Sequence, residues 1–164
     1  EISATPYIFT FKIYDYLRKD LNGNLRKLNI ERAFQNIRQE RTSSFIDKNF
    51  TPKPKLIDEG SDWKNFEIYN RIESFYNINR IDFLTKYELD TEGNGLIINL
   101  VEGRSIFLTS KNGIKKRLNL FETMVIPAAS GLVKLSNQTK HDCKLVYSFV
   151  RPSSLKLGLN DPQT

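Results

Sequence analysis

The pattern of apolar and polar positions divides the chain into a short mixed start and a long strand-rich body. From Tyr7 to Tyr14 the residues alternate, with Tyr7, Phe9 and Phe11 on one face and Ile8, Thr10 and Lys12 on the other. Period-2 alternation of this kind predicts a strand. Leu21-Asn22-Gly23-Asn24 is a turn signal. Asn29 then stands as an N-cap before Ile30, Ala33, Phe34 and Ile37, which fall at i, i+3, i+4 and i+7. That spacing predicts one amphipathic helix from Ile30 to Arg38, with Glu31 in its first turn and Arg38 in its last. Residues Arg41 to Pro54 are polar and broken by Pro52 and Pro54, which predicts a linker or surface loop.

Beyond that point the chain reads as strand after strand. The alternation predicts Lys55–Glu59, Trp63–Asn70, Phe75–Leu89, Leu96–Glu102, Ser105–Ser110, Ile114–Leu120, Thr123–Ile126, Leu132–Ser136 and Lys144–Arg151. Glu59-Gly60-Ser61, Glu92-Gly93-Asn94-Gly95, Glu102-Gly103, Asn112-Gly113 and Ser130-Gly131 separate them, and Asn112-Gly113 is the strongest hairpin signal. Many short strands at this spacing predict an all-β jelly-roll sandwich preceded by one strand and one helix. The expected division is 1–54 for the strand, helix and linker, 55–151 for the sandwich, and 152–164 for a tail. A chain that opens in a β-like run, without an initiator Met, reads as a fragment.

Composition narrows the chemistry. With 164 residues, 39% hydrophobic and 27% charged, the chain can bury a core and is not broadly disordered. One cysteine, Cys143, excludes an internal disulfide and reads as a strand thiol; the single histidine, His141, two residues away, is the one imidazole near it. A metal site or a catalytic triad needs more than one such group, so no metal ligands are expected in this chain. No apolar run approaches the roughly 18 residues that span a membrane. The net charge of +6 and isoelectric point near 9.4 suit an anionic partner. The basic residues are dispersed, however, and Lys115-Lys116-Arg117 reads as a solvated strand face, so nucleic acid is not expected. Lys12 on the first strand and Arg18 just beyond it are the candidates for an anion, since Arg in particular grips phosphate in bidentate fashion.

The run Phe11-Lys12-Ile13-Tyr14-Asp15-Tyr16-Leu17-Arg18, followed by Asp20, Gly23, Leu28-Asn29-Ile30-Glu31 and Ala33-Phe34, resembles type I mannose-6-phosphate isomerases. Ile98-Asn99-Leu100-Val101-Glu102-Gly103 and Glu122-Thr123-Met124-Val125-Ile126-Pro127-Ala128 are similar to the C-terminal cupin of that family. The resemblance implies a cupin-type sandwich and a zinc-dependent interconversion of mannose 6-phosphate and fructose 6-phosphate. The family's zinc ligands are a Gln, a His, a Glu and a second His on an N-terminal cupin; that domain would precede Glu1 and be the chain's partner. The chain alone would then hold no cofactor and be inactive, in a cytoplasmic parent protein. Lys12 stands at the family's catalytic arginine, keeping the charge without the planar fork, and Arg18 at its phosphate-binding basic residue. The resemblance also implies an orphaned first strand, with a homodimer through it as the expected outcome. The alternative is a non-catalytic jelly-roll module that binds a sugar or a protein partner.

Overall fold

The computed structural model describes residues 11–72, 74–139 and 141–151. The chain divides between Thr51 and Pro52 into two compact units.

The first unit contains two short helices, α1 (Ile30–Asn36) and α2 (Ser43–Asn49). Helix α1 ends two residues earlier than its apolar spacing predicts, because Ile37 turns extended while its N–H still bonds the Ala33 and Phe34 carbonyls. Asn29 begins it through its backbone carbonyl, which accepts the Ala33 N–H at 2.8 Å, and not through a side-chain cap. Helix α2 lies where a loop is expected. Its signal is weak because it is only about two turns long: Phe45 and Ile46 are its apolar residues, and Phe50 just beyond it packs its ring 5.9 Å from that of Phe45.

The expected strand Tyr7–Tyr14 is corrected over its second half. Phe11 to Tyr14 are irregular; Tyr7 to Thr10 lie outside the described residues. Lys12 reaches Asp15, three positions on, at 3.3 Å. In a strand such residues project to opposite faces about 10 Å apart, so the contact requires a folded-back chain. Among the described residues, the Asn29 N–H bond to the Lys12 carbonyl at 3.1 Å stands where a ladder is expected.

The second unit is a jelly-roll β-sandwich. Its strands are β1 (Lys55–Glu59), β2 (Trp63–Tyr69), β3 (Tyr76–Phe83), β4 (Lys86–Asp90), β5 (Leu96–Glu102), β6 (Ser105–Ser110), β7 (Lys115–Asn119), β8 (Thr123–Ile126), β9 (Leu132–Asn137) and β10 (Cys143–Val150). A six-stranded sheet runs β1-β2-β3-β10-β5-β8 and a four-stranded sheet runs β4-β9-β6-β7, with every pairing antiparallel. The inward faces carry Ile81, Phe83, Ile98, Leu100, Ile106, Leu118, Leu135 and Leu145, each under 2% exposed. Each such side chain contributes about 1.5–3 kcal/mol by leaving water. This is the main force holding the sheets together.

The run Phe75–Leu89, expected as one strand, is two. The chain leaves the first sheet after Phe83 and enters the second at Lys86. Asp62 makes that corner: its carbonyl accepts the Leu84 N–H at 2.9 Å, and its carboxylate accepts the Thr85 N–H at 3.3 Å and the Thr85 hydroxyl. Asn137, 9% exposed, braces the same corner by donating to the Leu84 and His141 carbonyls, both at 2.7 Å. The Asn112-Gly113 hairpin joins β6 to β7, with the Gly113 N–H donating to the Ser110 carbonyl at 2.9 Å.

Candidate functional site

Three arrangements could carry chemistry. The first is built from the irregular start of the chain. Lys19 and Leu25 form an isolated antiparallel bridge. The Asp20 carboxylate accepts the Asn22 and Asn24 N–H groups at 2.9 and 3.0 Å, which closes the turn between them. This small loop returns Arg26 to the neighbourhood of Arg18, whose carbonyl accepts the Arg26 N–H at 3.0 Å. Both guanidinium groups and Lys12 then converge on Asp15: Lys12 Nζ at 3.3 Å, Arg18 Nε at 3.9 Å and Arg26 Nε at 3.6 Å. The Asp15 side chain is only 6% exposed, against 27% for Lys12 and 66% for Arg18. One buried carboxylate thus gathers three cations, and the cluster keeps two positive charges. The structure brings the two predicted residues, Lys12 and Arg18, to one carboxylate. Asp15 and Arg26 are the additions, and the signal for Asp15 was its place three residues from each of them.

The second arrangement is a polar row inside the sandwich. Glu67, Asn79 and Tyr147 are register partners across β2, β3 and β10. The Tyr147 hydroxyl accepts from Asn79 Nδ2 at 2.9 Å and from Asn65 Nδ2 at 3.2 Å. Asn65 Nδ2 also lies 3.4 Å from the Tyr87 hydroxyl, and Trp63 meets the Tyr87 ring edge-on at 4.9 Å. Burial, and then the neighbouring Tyr147 phenol, push Tyr87 up to about 12, although the Asn65 amide opposes them. Asn65 Oδ1 is buried and has no partner among the described residues.

The third is a cavity of about 720 Å³ on the side of the sandwich where β7 ends one sheet and β8 the other. Leu108, Met124, Ile126 and Val133 form its walls, and Lys111 and Lys116 stand at it.

Cys143 is fully buried, and burial pushes its thiol up, away from the reactive range. His141 is exposed and precedes β10, so the two do not share a strand face. Among the described residues no three of His, Cys, Asp and Glu converge in a way that could hold a metal ion. The inner face of β9 presents Val133 and Leu135, hydrocarbon rather than ligand atoms. The donor set of the described residues therefore does not fit zinc. No helix among the described residues is long and apolar enough to cross a membrane.

The mannose 6-phosphate isomerase of Bacillus subtilis superposes with a TM-score of 0.60 at 17% identity, over 84% of this chain and 39% of that one. HutD from Pseudomonas fluorescens gives 0.52 at 12% identity, over 63% of this chain and 58% of that one. A Photorhabdus luminescens protein gives 0.52 at 10% identity, over 64% of this chain and 88% of that one. The body of the chain has a cupin fold. At these identities the likeness shows the fold alone. No protein-family model matches the sequence, and no curated protein matches it. The isomerase match has one further property: 84% of 164 residues is more than residues 52–164 can supply, so it reaches into the first unit.

Proposed function

We infer that this chain is the C-terminal part of a sugar-phosphate isomerase-like protein acting on mannose 6-phosphate and fructose 6-phosphate. The observation that carries this reading is the convergence of Lys12, Arg18 and Arg26 on the buried Asp15. Moving a proton between adjacent carbons of an aldose or ketose builds negative charge on oxygen, which a fixed cation stabilises. The phosphate of the substrate needs a second, more mobile cation. Lys12 suits the first role because it is the more enclosed and is held by Asp15. Arg18 suits the second, because its exposed guanidinium has N–H groups left over to grip a phosphate. Asp15 can only accept hydrogen bonds, so it orients these cations while the cluster stays positive.

The reach of the isomerase likeness into residues 1–51 supports the same reading. Zinc, on this view, is held by residues outside the chain, in an N-terminal cupin that is its partner. The second unit serves as a cupin without metal, and the parent protein is cytoplasmic. The test is to titrate the chain with mannose 6-phosphate, followed by phosphorus NMR. Binding in the millimolar range is expected, weakened in Arg18→Ala and in Lys12→Ala, with no isomerisation by the chain alone in the presence or absence of added zinc. Binding that neither substitution alters removes the assignment of both residues. Isomerisation by the chain with one tightly held zinc overturns the view that the metal lies elsewhere.

A further inference from the structure

We propose that the cavity between β7 and β8 is a binding site for a small amphipathic anion, a molecule with a hydrocarbon or aryl body and one carboxylate. This site lies wholly in the second unit and is independent of the cations around Asp15.

The argument begins with the alternation in β7. Leu118 is buried and Lys116, two residues before it, projects from the same face of the strand. Lys116 is the register partner of Leu108 on β6, a residue 5% exposed that forms part of the cavity wall. Pattern and register thus call for an apolar side chain at position 116, and an ammonium stands there. Its neighbour behaves differently. Lys115 is on the opposite face and settles over the Phe107 ring at 4.2 Å, the ordinary fate of a surface lysine on a sheet.

The opposite wall comes from β8. Met124 pairs with Ile98 and Ile126 with Leu96, both partners being core residues, so Met124 and Ile126 turn inward as well. No Asp or Glu lines the cavity. Among the described residues neither Lys111 nor Lys116 has a carboxylate within ion-pair distance. The site therefore offers a hydrocarbon floor and uncompensated positive charge on one side. Its volume of about 720 Å³ falls within the roughly 300–1,000 Å³ of small-molecule pockets. A sugar phosphate is a poor match, because the walls of Leu108, Met124, Ile126 and Val133 would strip water from its hydroxyls, while Ser110, already bonded to Asn112 and the Ile114 carbonyl, and Ser130 offer few hydrogen bonds in return. An apolar body with one anionic end satisfies both walls and lysines.

The experiment uses the whole chain and the fluorescence of 8-anilino-1-naphthalenesulfonate, displaced by decanoate, decanol or mannose 6-phosphate. Decanoate should displace the dye, decanol about tenfold less well, and mannose 6-phosphate not at all. Lys116→Met keeps the stem and removes the charge; it should weaken decanoate about tenfold and leave decanol unchanged. Ala129→Trp, at an exposed position on the cavity lining, should weaken both. Amide shifts on adding decanoate should fall on β7, β8 and Lys111. Equal binding of decanol and decanoate, or unchanged decanoate binding in Lys116→Met, overturns the proposal. So does unchanged binding in Ala129→Trp, and so do shifts confined to residues 11–51, which would assign the anion to the cations around Asp15.

Discussion

Replacing Gly103 by Ala should be among the most damaging single-methyl changes in this protein. Gly103 sits in the turn from β5 to β6 with a φ of +107°, a region that side-chain-bearing residues rarely adopt. A Cβ built there would lie 2.6 Å from Cys143 Sγ and 3.4 Å from both the Cα and Cβ of Cys143. The sulfur cannot swing clear, because Cys143 is 0% exposed and belongs to the core of the sandwich. Two penalties therefore combine. Backbone strain at a disfavoured φ costs about 1–3 kcal/mol. Overpacking of a filled core costs about the same again. A total near 3–4 kcal/mol would take a large share of the roughly 5–15 kcal/mol that stabilises a domain. It corresponds to a fall in melting temperature of roughly 12–17 °C for a unit of this size.

Urea denaturation of four variants separates the two penalties. Gly93 has a φ of +74° but nothing within 4 Å of its Cβ position, so Gly93→Ala meets backbone strain alone, about 1 kcal/mol. Cys143→Ala removes the sulfur that Gly103→Ala would strike. In that background Gly103→Ala should cost at least about 1 kcal/mol less than in the wild type, a coupling expected of residues in direct contact. Equal cost in both backgrounds would refute the steric half of the reasoning. A cost in Gly103→Ala no larger than in Gly93→Ala would refute it as well.

The remaining predictions concern single groups. Tyr87, pushed up to about 12 by burial, should be among the last tyrosines to ionise in an ultraviolet titration, and Tyr87→Phe should remove that step. The sign follows from the raised value: the folded state holds the phenolic proton more tightly than the unfolded chain. Stability should therefore fall as pH rises from about 10 toward 12, and less steeply in Tyr87→Phe. Burial also raises the Cys143 thiol, so a thiol-specific disulfide reagent should leave the folded chain unmodified at neutral pH and label one thiol after urea unfolding. Asp62→Ala removes the acceptor that holds the Leu84–Thr85 corner by its side chain, and should cost about 1.5–3 kcal/mol in urea denaturation.

The sandwich was legible because its signals are local. Leu96–Glu102 and Ser105–Ser110 have the predicted bounds; alternation marks the strands and Gly103 the turn between them. The corner at Leu84–Thr85 was not legible for the opposite reason. Phe83 and Leu89 both face the same core from different sheets, so the alternation shows no interruption where the chain changes sheet. What bends it there is Asp62, more than twenty residues earlier, and no window along the chain contains that information. Helix α2 was hidden by its neighbours: it ends at Asn49 before Pro52 and Pro54, which mark a break but give no reason to expect an element before them.

The candidate sites divide along the same line. Lys12 and Arg18 could be named from charge and motif, yet the group that organises them is Asp15, and a carboxylate between basic residues reads on its own as ordinary surface charge. The evidence was its spacing, since positions 12, 15 and 18 meet when the chain folds back and separate when it is extended. Reading the segment as a strand therefore concealed the contact that gives the cluster its order. Lys116 was concealed by a similar choice of grouping. Taken with Lys115 and Arg117 it is one of three consecutive basic residues, and the three look alike. Taken with Leu118 on its own face of β7, it is the position where hydrocarbon gives way to charge. In a strand the meaningful neighbours are at i±2 and across the register, not at i±1. A basic residue becomes a candidate for binding when those neighbours are core residues and no carboxylate stands among them.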